Sequence, residues 1–266
     1  MSDTIIGYSG PKVLLGYPVG TSELVCFSDS LRLLMQYEGM KPEGPLLAGI
    51  VREQGLYVDD NRNRLVEHLF KAPQSVKWLL MIDTDIEFKP YILELMLELA
   101  ENHDLKILAA SVPIGQTHET CAFFFGDVPG RMHVVTRLPH GPLRPLRVDA
   151  IATACTLIHR DVFEAMAEKL GPCWFTRFSV PDPDSKQDGP IESRRDLTLG
   201  EDIAFCYRAK SLGMPIWCAH IPGLRHWKLV GFTHDEASEW PQRETKTERV
   251  VVSDPATGNL TELVEG

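Results

Sequence analysis

Asp83 and Asp85 are the residues of this 266-residue chain whose type and spacing most directly imply chemistry. They follow Trp78-Leu79-Leu80-Met81-Ile82, a continuous apolar run too short for a membrane span and suited to a strand buried on both faces. Such a strand excludes water until its carboxyl end, so two carboxylates there emerge into a crevice with their charges only partly solvated. Two carboxylates on one side of an extended chain can share a divalent ion, and hard oxygen ligands favour Mg2+ or Mn2+ over zinc. An acidic turn between strand and helix carries the same letters, because so short a motif recurs by accident.

The second half holds two more groups with chemical potential. Leu199-Gly200-Glu201-Asp202-Ile203 puts two carboxylates in the first turn of a helix. The macrodipole alone would favour them there, but a carboxylate held ionised beside a bound cation is also a competent general base for a hydroxyl. Arg225-His226-Trp227 follows a Pro-Gly turn, and a neutral His226 imidazole could complete a site begun by the carboxylates.

The elements that must position these residues alternate. Lys12–Tyr17 reads as a strand closed by a Pro18-Val19-Gly20 turn, and Thr21 or Ser22 caps a helix to about Tyr37. Leu46–Val51 is a second strand, and Asp59-Asp60 caps a helix carrying Arg62, Asn63, Arg64 and the apolar Leu65, Val66, Leu69 and Phe70. The strand ending at Asp83 is followed by a helix over Tyr91–Ala100 behind Pro90, then by a strand over Leu105–Val112. This order is that of a doubly wound sheet. After residue 113 the rhythm changes to a hairpin of Cys121–Phe125 with Met132–Thr136 and one long strand-like run, Val148–His159. Asp161 caps a short helix through Met166, and Pro172–Asp196, with four prolines, reads as a mobile loop. A helix over Gly200–Leu212, a strand over Pro215–Cys218 and a terminal hairpin of Val250–Val252 with Leu260–Val264 complete the chain.

Composition narrows the class. With 27 basic and 37 acidic side chains the net charge is -10, which excludes a protein that coats nucleic acid or anionic membrane with its whole surface. Between Asp127 and Asp149, however, the chain has no acidic residue and carries Arg131, Arg137, Arg144 and Arg147 with His133 and His140. That stretch is either a solvated Pro-rich loop or a local face for a polyanion. Six scattered cysteines without a C-x-x-C suggest reduced thiols, and the start Met1-Ser2-Asp3 has no secretion signal. A soluble cytoplasmic protein is the expectation.

The I-D-T-D at a strand end, the V-D-A-I-A-T-A-C-T-L-I-H-R-D-V-F run at 148–163, the G-E-D-I-A-F helix start and the H-W pair at 226–227 together resemble GT-A-type glycosyltransferases. The resemblance is to the short soluble enzymes of bacteria and their phages, and it covers about residues 12–232. It implies a GT-A-like, Rossmann-type mixed α/β sheet with helices on both faces and a smaller acceptor-side β region. One catalytic domain would span 1–240, with a nucleotide-binding half at 1–113 and an acceptor half at 114–240, leaving 241–266 as a tail or hairpin. By the same resemblance Asp83, Asp85 and His226 would hold Mn2+ or Mg2+, with Asp85 the direct ligand. The nucleotide sugar, a UDP-sugar, would meet Tyr17, Pro18 and Val19 through backbone groups, together with Arg62, Asn63, Asp83 and Thr84. Asp202 would deprotonate the acceptor hydroxyl in an inverting displacement, with Glu201 binding acceptor. Ala154 and Cys155 stand where the family often has Gly, which leaves the donor sugar open.

Some phage enzymes of this kind glucosylate hydroxymethylated bases in DNA. Modified DNA therefore joins saccharides and protein hydroxyls as a possible acceptor, with Arg131, Arg137, Arg144 and Arg147 as its contacts. Trp174 and Phe175 read first as core residues, with stacking on a sugar as the alternative for the pair. Two other functions compete. A haloacid dehalogenase-type phosphatase also places D-x-D after a buried strand, but Glu87 stands where that class needs Thr or Val. A non-catalytic nucleotide-sugar-binding module would keep the fold and the cation without turnover.

Overall fold

The structure is a computed structural model that describes residues 12–20, 22–113, 120–127, 131–135, 138, 143–182, 196–227, 250–253 and 260–263. The chain divides into two units, Met1–Trp227 and Lys228–Gly266, a boundary earlier than the expected one at 240. No helix among the described residues is long and apolar enough to cross a membrane.

In the first unit β1 (Val13–Val19), α1 (Val25–Gly39), β2 (Leu47–Gln54), α2 (Val58–Lys71), β3 (Trp78–Ile82), β4 (Ile86–Glu87), α3 (Ile92–Asn102) and β5 (Ile107–Ala110) keep the expected alternation. Then come β6 (Ala122–Phe125), β7 (Met132–Val134), β8 (Leu146–Val148), β9 (Ala150–Ile151), β10 (Cys155–His159) and α4 (Arg160–Leu170). The unit ends with β11 (Ser179–Pro181), β12 (Asp196–Thr198), α5 (Glu201–Ser211), β13 (Ile216–Ala219) and β14 (Arg225–His226). The second unit holds the anticipated hairpin, β15 (Val250–Ser253) antiparallel to β16 (Leu260–Leu263).

The main sheet has seven strands in the order β2-β1-β3-β10-β5-β13-β8. It is mixed: β1, β2 and β3 run parallel, β10 lies antiparallel between β3 and β5, and β8 is an antiparallel edge on β13. Beside it, β7, β6 and β9 form a small antiparallel sheet.

Four local expectations need correction. The run Val148–His159 is three strands rather than one, because the chain leaves the edge at β8, pairs with β6 through β9 and re-enters the main sheet as β10. Continuous burial hides such breaks, since it removes the alternation that marks a strand's faces. Pro18 and Val19 extend β1 instead of turning; pairing with β3 has ended by Gly16, so the missing proline N–H leaves no bond unmade on that side. Helix α1 begins only at Val25, since Leu24 is held in extended backbone (φ -80, ψ 146) with its N–H donated to the Thr84 carbonyl at 3.1 Å. In α2 and α4 the expected aspartate caps lie inside the first turn, with Tyr57 and His159 at the cap positions.

Alternate residues of β3 feed opposite cores, as a pleated strand requires. Trp78, Leu80 and Ile82 pack with Phe27 and Leu34 of α1 and with Ile92 and Met96 of α3. Leu79 and Met81 pack with Leu65 and Leu69 of α2, Phe163 of α4 and Phe205 of α5. Each such side chain contributes about 1.5–3 kcal/mol on burial, so β3 is held from both sides up to the residue before Asp83. Gly16 lets α2 approach: a Cβ there would stand 2.9 Å from Leu65 Cδ2.

The far end of α2 is tied down by one side chain. Arg160, at the start of α4 and fully buried, donates from Nη2 to the carbonyls of Leu69 (2.6 Å), Ala72 (3.2 Å) and Pro73 (3.3 Å), and from Nε to Val76 (3.0 Å). It therefore ties the last turn of α2, at Leu69, to the segment that follows the helix, at Ala72, Pro73 and Val76. Arg160→Met is expected to cost about 3 kcal/mol of unfolding free energy, measured by urea denaturation, with Arg160→Lys recovering only part because an ammonium cannot reproduce the fork.

Candidate functional site

The chain turns sharply after β3. The Asp83 N–H is donated to the Ala154 carbonyl at 2.9 Å, the Ile86 N–H to Asp83 at 3.1 Å, and the Thr84 hydroxyl to the Ser22 carbonyl at 3.2 Å. The strand resumes as β4, which pairs antiparallel with β14 so that His226 lies opposite Ile86. Trp227 closes this short ribbon, donating its backbone N–H to the Asp85 carbonyl (2.9 Å) and its indole N–H to Glu87 (2.8 Å). As a result, His226 Nε2 stands 3.1 Å from Asp85 Oδ2. The other ring nitrogen, Nδ1, is 2.7 Å from the Pro113 carbonyl, which can only accept, so Nδ1 carries a proton. If the ring is neutral, Nε2 then turns a lone pair on a carboxylate oxygen. Two acceptors at that distance need a cation between them, either a second ring proton or a metal ion.

Arg62 forms the second part of the site. Its guanidinium is 3 % exposed and donates to Asp83 Oδ1 at 2.8 Å and to Glu201 Oε1. A charge so deeply buried survives only when paired and hydrogen-bonded. Burial alone would lower the Arg62 pKa, and the carboxylates of Asp83, Glu201 and Asp202 more than reverse that, holding it above its ordinary value. Asp202 feels the opposite balance: burial, then Glu201 and Asp83, outweigh the pull of Arg62 and raise its pKa. Its Oδ1 accepts the Ile203 N–H at 2.7 Å, which fixes the carboxylate at the first turn of α5.

A cleft of about 220 Å³ opens at Asp83 and Asp85, lined also by Pro18, Gly55, Leu56, Asn61 and Thr84 among others. Of the residues assigned to the nucleotide, Pro18, Asp83 and Thr84 line it. The side chains of Tyr17 and Val19 are buried in the core, the Tyr17 ring 4.9 Å from that of Phe27, because a strand continues where a turn was expected; the contacts expected of these two residues are through their backbone groups. Asn63 is directed elsewhere, accepting the Phe175 N–H at 2.9 Å and donating to the Thr176 hydroxyl at 3.3 Å. Arg62 meets carboxylates and not the cleft wall, and Glu201 and Asp202 join the site through it.

Trp174 is not available to a sugar. It is buried, donates its indole N–H to the Phe163 carbonyl at 2.9 Å and packs edge-on against Phe70, so the core assignment holds and the stacking alternative does not. Arg131, Arg144 and Arg147 are exposed, none of them on the cleft, and Arg137 lies outside the described residues. Sequence reasoning missed Asn61, whose buried amide donates to the Gly55 carbonyl at 3.4 Å and lines the cleft; its place next to Arg62 was the only signal.

The sequence matches no protein-family model and no curated protein. Two solved structures are similar in chain path. One is described as the crystal structure of A197 from STIV, at 12% identity and a TM-score of 0.48, covering 83% of this chain and 86% of that one. The other is described as a glycosyltransferase involved in the glycosylation of the major capsid of PBCV-1, at 13% identity and a TM-score of 0.42, covering 86% of this chain and 98% of that one. At these values neither bears on the site.

Among the described residues no group of three His, Cys, Asp or Glu side chains is arranged to hold a metal ion, because Asp83 is turned onto Arg62 and leaves Asp85 with His226 as a pair. That pair fits a hard divalent ion that takes its other ligands from water and phosphate oxygens. The Nδ1–H bond to a backbone carbonyl is the outer contact that orients a ligating imidazole.

The raised Asp202 pKa has a consequence for stability. Below the ordinary aspartate pKa both folded and unfolded chains hold the proton and nothing is lost. As pH rises past it the unfolded chain ionises first, so the folded state loses stability until pH passes the folded pKa. Asp202→Asn has no such term. Its unfolding free energy relative to wild type is therefore expected to increase as pH rises through and above the ordinary aspartate pKa in urea titrations; a constant difference would contradict the burial argument.

Proposed function

We propose that this chain is a metal-dependent glycosyltransferase that moves a sugar from a nucleotide sugar, a UDP-sugar, to an acceptor hydroxyl with inversion. The observation that carries the reading is the 3.1 Å approach of His226 Nε2 to Asp85 Oδ2 at the mouth of β3, beside a cleft of nucleobase scale. Asp85 and His226 would hold Mn2+ or Mg2+, with Asp83 behind them. A divalent ion bound there offsets the negative charge that develops on a departing diphosphate.

The chain's own groups supply the rest. Arg62 keeps Asp83 and Glu201 in fixed relation behind the cleft, so the donor-side and acceptor-side carboxylates cannot drift apart. Asp202, made more basic by burial, takes the proton of an acceptor hydroxyl approaching from the α5 side. The acceptor oxygen then bonds to the anomeric carbon as the bond from that carbon to the phosphate oxygen breaks, and the electron pair leaves with the diphosphate. Pro18 and Thr84 line the donor's path. The phosphatase alternative needs Asp83 as a nucleophile, and its engagement by Arg62 at 2.8 Å speaks against that role.

The acceptor is open among hydroxyls of saccharides, proteins and hydroxymethylpyrimidine DNA; the exposed Arg131, Arg144 and Arg147 keep the last in view. The decisive assay follows nucleoside diphosphate release from a panel of nucleotide sugars with manganese, with and without such DNA. Release is expected to be abolished by chelation and by Asp85→Asn. Asp202→Asn is expected to lower kcat by about 10²–10⁴-fold while nucleotide binding persists. Binding without release from any donor would replace the enzyme with a nucleotide-sugar-binding module.

A further inference from the structure

A second cleft, of about 590 Å³, opens at the other end of the sheet, where the parallel strands begin. Four neighbouring strands each bring a nitrogen-bearing side chain to it. Lys12 precedes β1, Lys77 precedes β3, His159 ends the antiparallel β10 and Lys106 precedes β5. The ladder places them in a row in that order, since Val13 pairs with Trp78, Trp78 with His159 and Ile158 with Ile107. The same lining holds three carboxylates, Glu101, Asp104 and Asp161, so the lysines make the cleft balanced in charge within a chain of net charge -10.

Of the three acidic residues in this lining, two are engaged by lysines of the row. Glu101 is taken by Lys12 at 2.9 Å and Asp161 by Lys106. No protein carboxylate pairs with Lys77 among the described residues, and its side chain is exposed. His159 adds a donor whose proton can be located. Its Nδ1 accepts the backbone N–H of Asp161 at 3.2 Å, so that nitrogen bears no proton and Nε2 bears it. Burial and the nearby lysines keep this imidazole neutral, which leaves Nε2–H a donor rather than a partner for the Asp161 carboxylate. The first turn of the eleven-residue α4 begins at the next residue and adds the positive end of its dipole. The floor is apolar, formed by Trp78 and Leu105, and Asp104 on the wall offers an acceptor to a hydroxyl.

We propose that this cleft binds a small phosphorylated molecule, its phosphate group held by Lys77 and the Nε2–H of His159 with Lys12 and Lys106 alongside. A phosphate suits the row better than a carboxylate does, because its additional oxygens can meet donors from more than one strand. The apolar floor and the Asp104 acceptor favour an ester that carries hydroxyls over the free anion. The site is separate from the Asp83–Asp85 cleft and does not depend on the transferase reading.

The test is a titration of the full-length protein in EDTA with ribose 5-phosphate and, separately, inorganic phosphate, followed by backbone amide chemical shifts. Saturable shifts are expected at Lys77, Trp78, Lys106 and Asp161, tighter for the sugar phosphate. Lys77→Ala, an exposed change that leaves the core intact, is expected to weaken binding by about tenfold or more. Asp85→Asn is expected to leave it unchanged. Equal affinity for inorganic phosphate would support the phosphate site and assign it to the free anion. Shifts no greater than those given by sodium chloride of equal ionic strength, shifts confined to the Asp83–Asp85 cleft, or binding that survives both Lys77→Ala and the Lys77→Ala/Lys106→Ala double variant would overturn the proposal.

Discussion

The interaction on which the rest of the site depends is the burial of one guanidinium among three carboxylates. Arg62 lies among Asp83, Glu201 and Asp202, and each of those groups reaches the site on a different element from Arg62. Removing the charge would leave anions in a poorly solvated place, at a cost that can exceed the worth of the original pairs. The arrangement therefore sets register as much as stability. It links α2 to the end of β3 on one side and to the start of α5 on the other, and those are the two places where the sequence puts its paired carboxylates. Helix α2 can serve as this link because it is anchored twice: Gly16 lets it approach β1, and Arg160 holds its last turn at the Leu69 carbonyl.

A smaller device brings His226 into place. Strands β4 and β14 are two residues each, too short to be stable as an isolated ribbon. Both are continuous with anchored chain, β4 with the turn after β3 and β14 with the segment after β13. The Trp227 contacts to Asp85 and Glu87 add the bonds that two ladder positions cannot supply. The Asp85–His226 geometry is thus a property of the backbone pairing, and a bound ion would meet it already formed.

What was legible in the sequence follows from how local each signal is. The run Trp78–Ile82 announced a buried strand, and the structure has that strand with the same two ends, since an apolar run stopped by charge leaves little freedom. Helix α5 was legible from its glutamate, aspartate and terminal glycine for the same reason. Val148–His159 was misread because strands buried on both faces lose their period, so nothing in the letters marks where the chain changes sheets. Arg62 was visible as a basic residue on a helix, but its meaning was not, because its partners lie 21 and 139 positions away. Tyr17, Asn63 and Trp174 show the converse: types that suit ligands were used for packing and tethering, which only the tertiary contacts reveal.

The two ends of the sheet also explain why so few charges are wasted inside the molecule. A strand such as β3, apolar for all five residues, can carry polar groups only beyond its ends, so chemistry is displaced to the two edges. At the carboxyl edge carboxylates outnumber the one guanidinium among them; at the amino edge lysines and carboxylates are equal in number, with Lys12 and Lys106 paired. The backbone joins the edges directly, since Arg160, which holds the end of α2, donates its own N–H to the Lys77 carbonyl at 2.7 Å. That bond gives the two edges a common frame, but a frame transmits an effect only if it has two arrangements to choose between. Close-packed residues on both faces of β3 argue for one arrangement, so the edges share a scaffold and act separately.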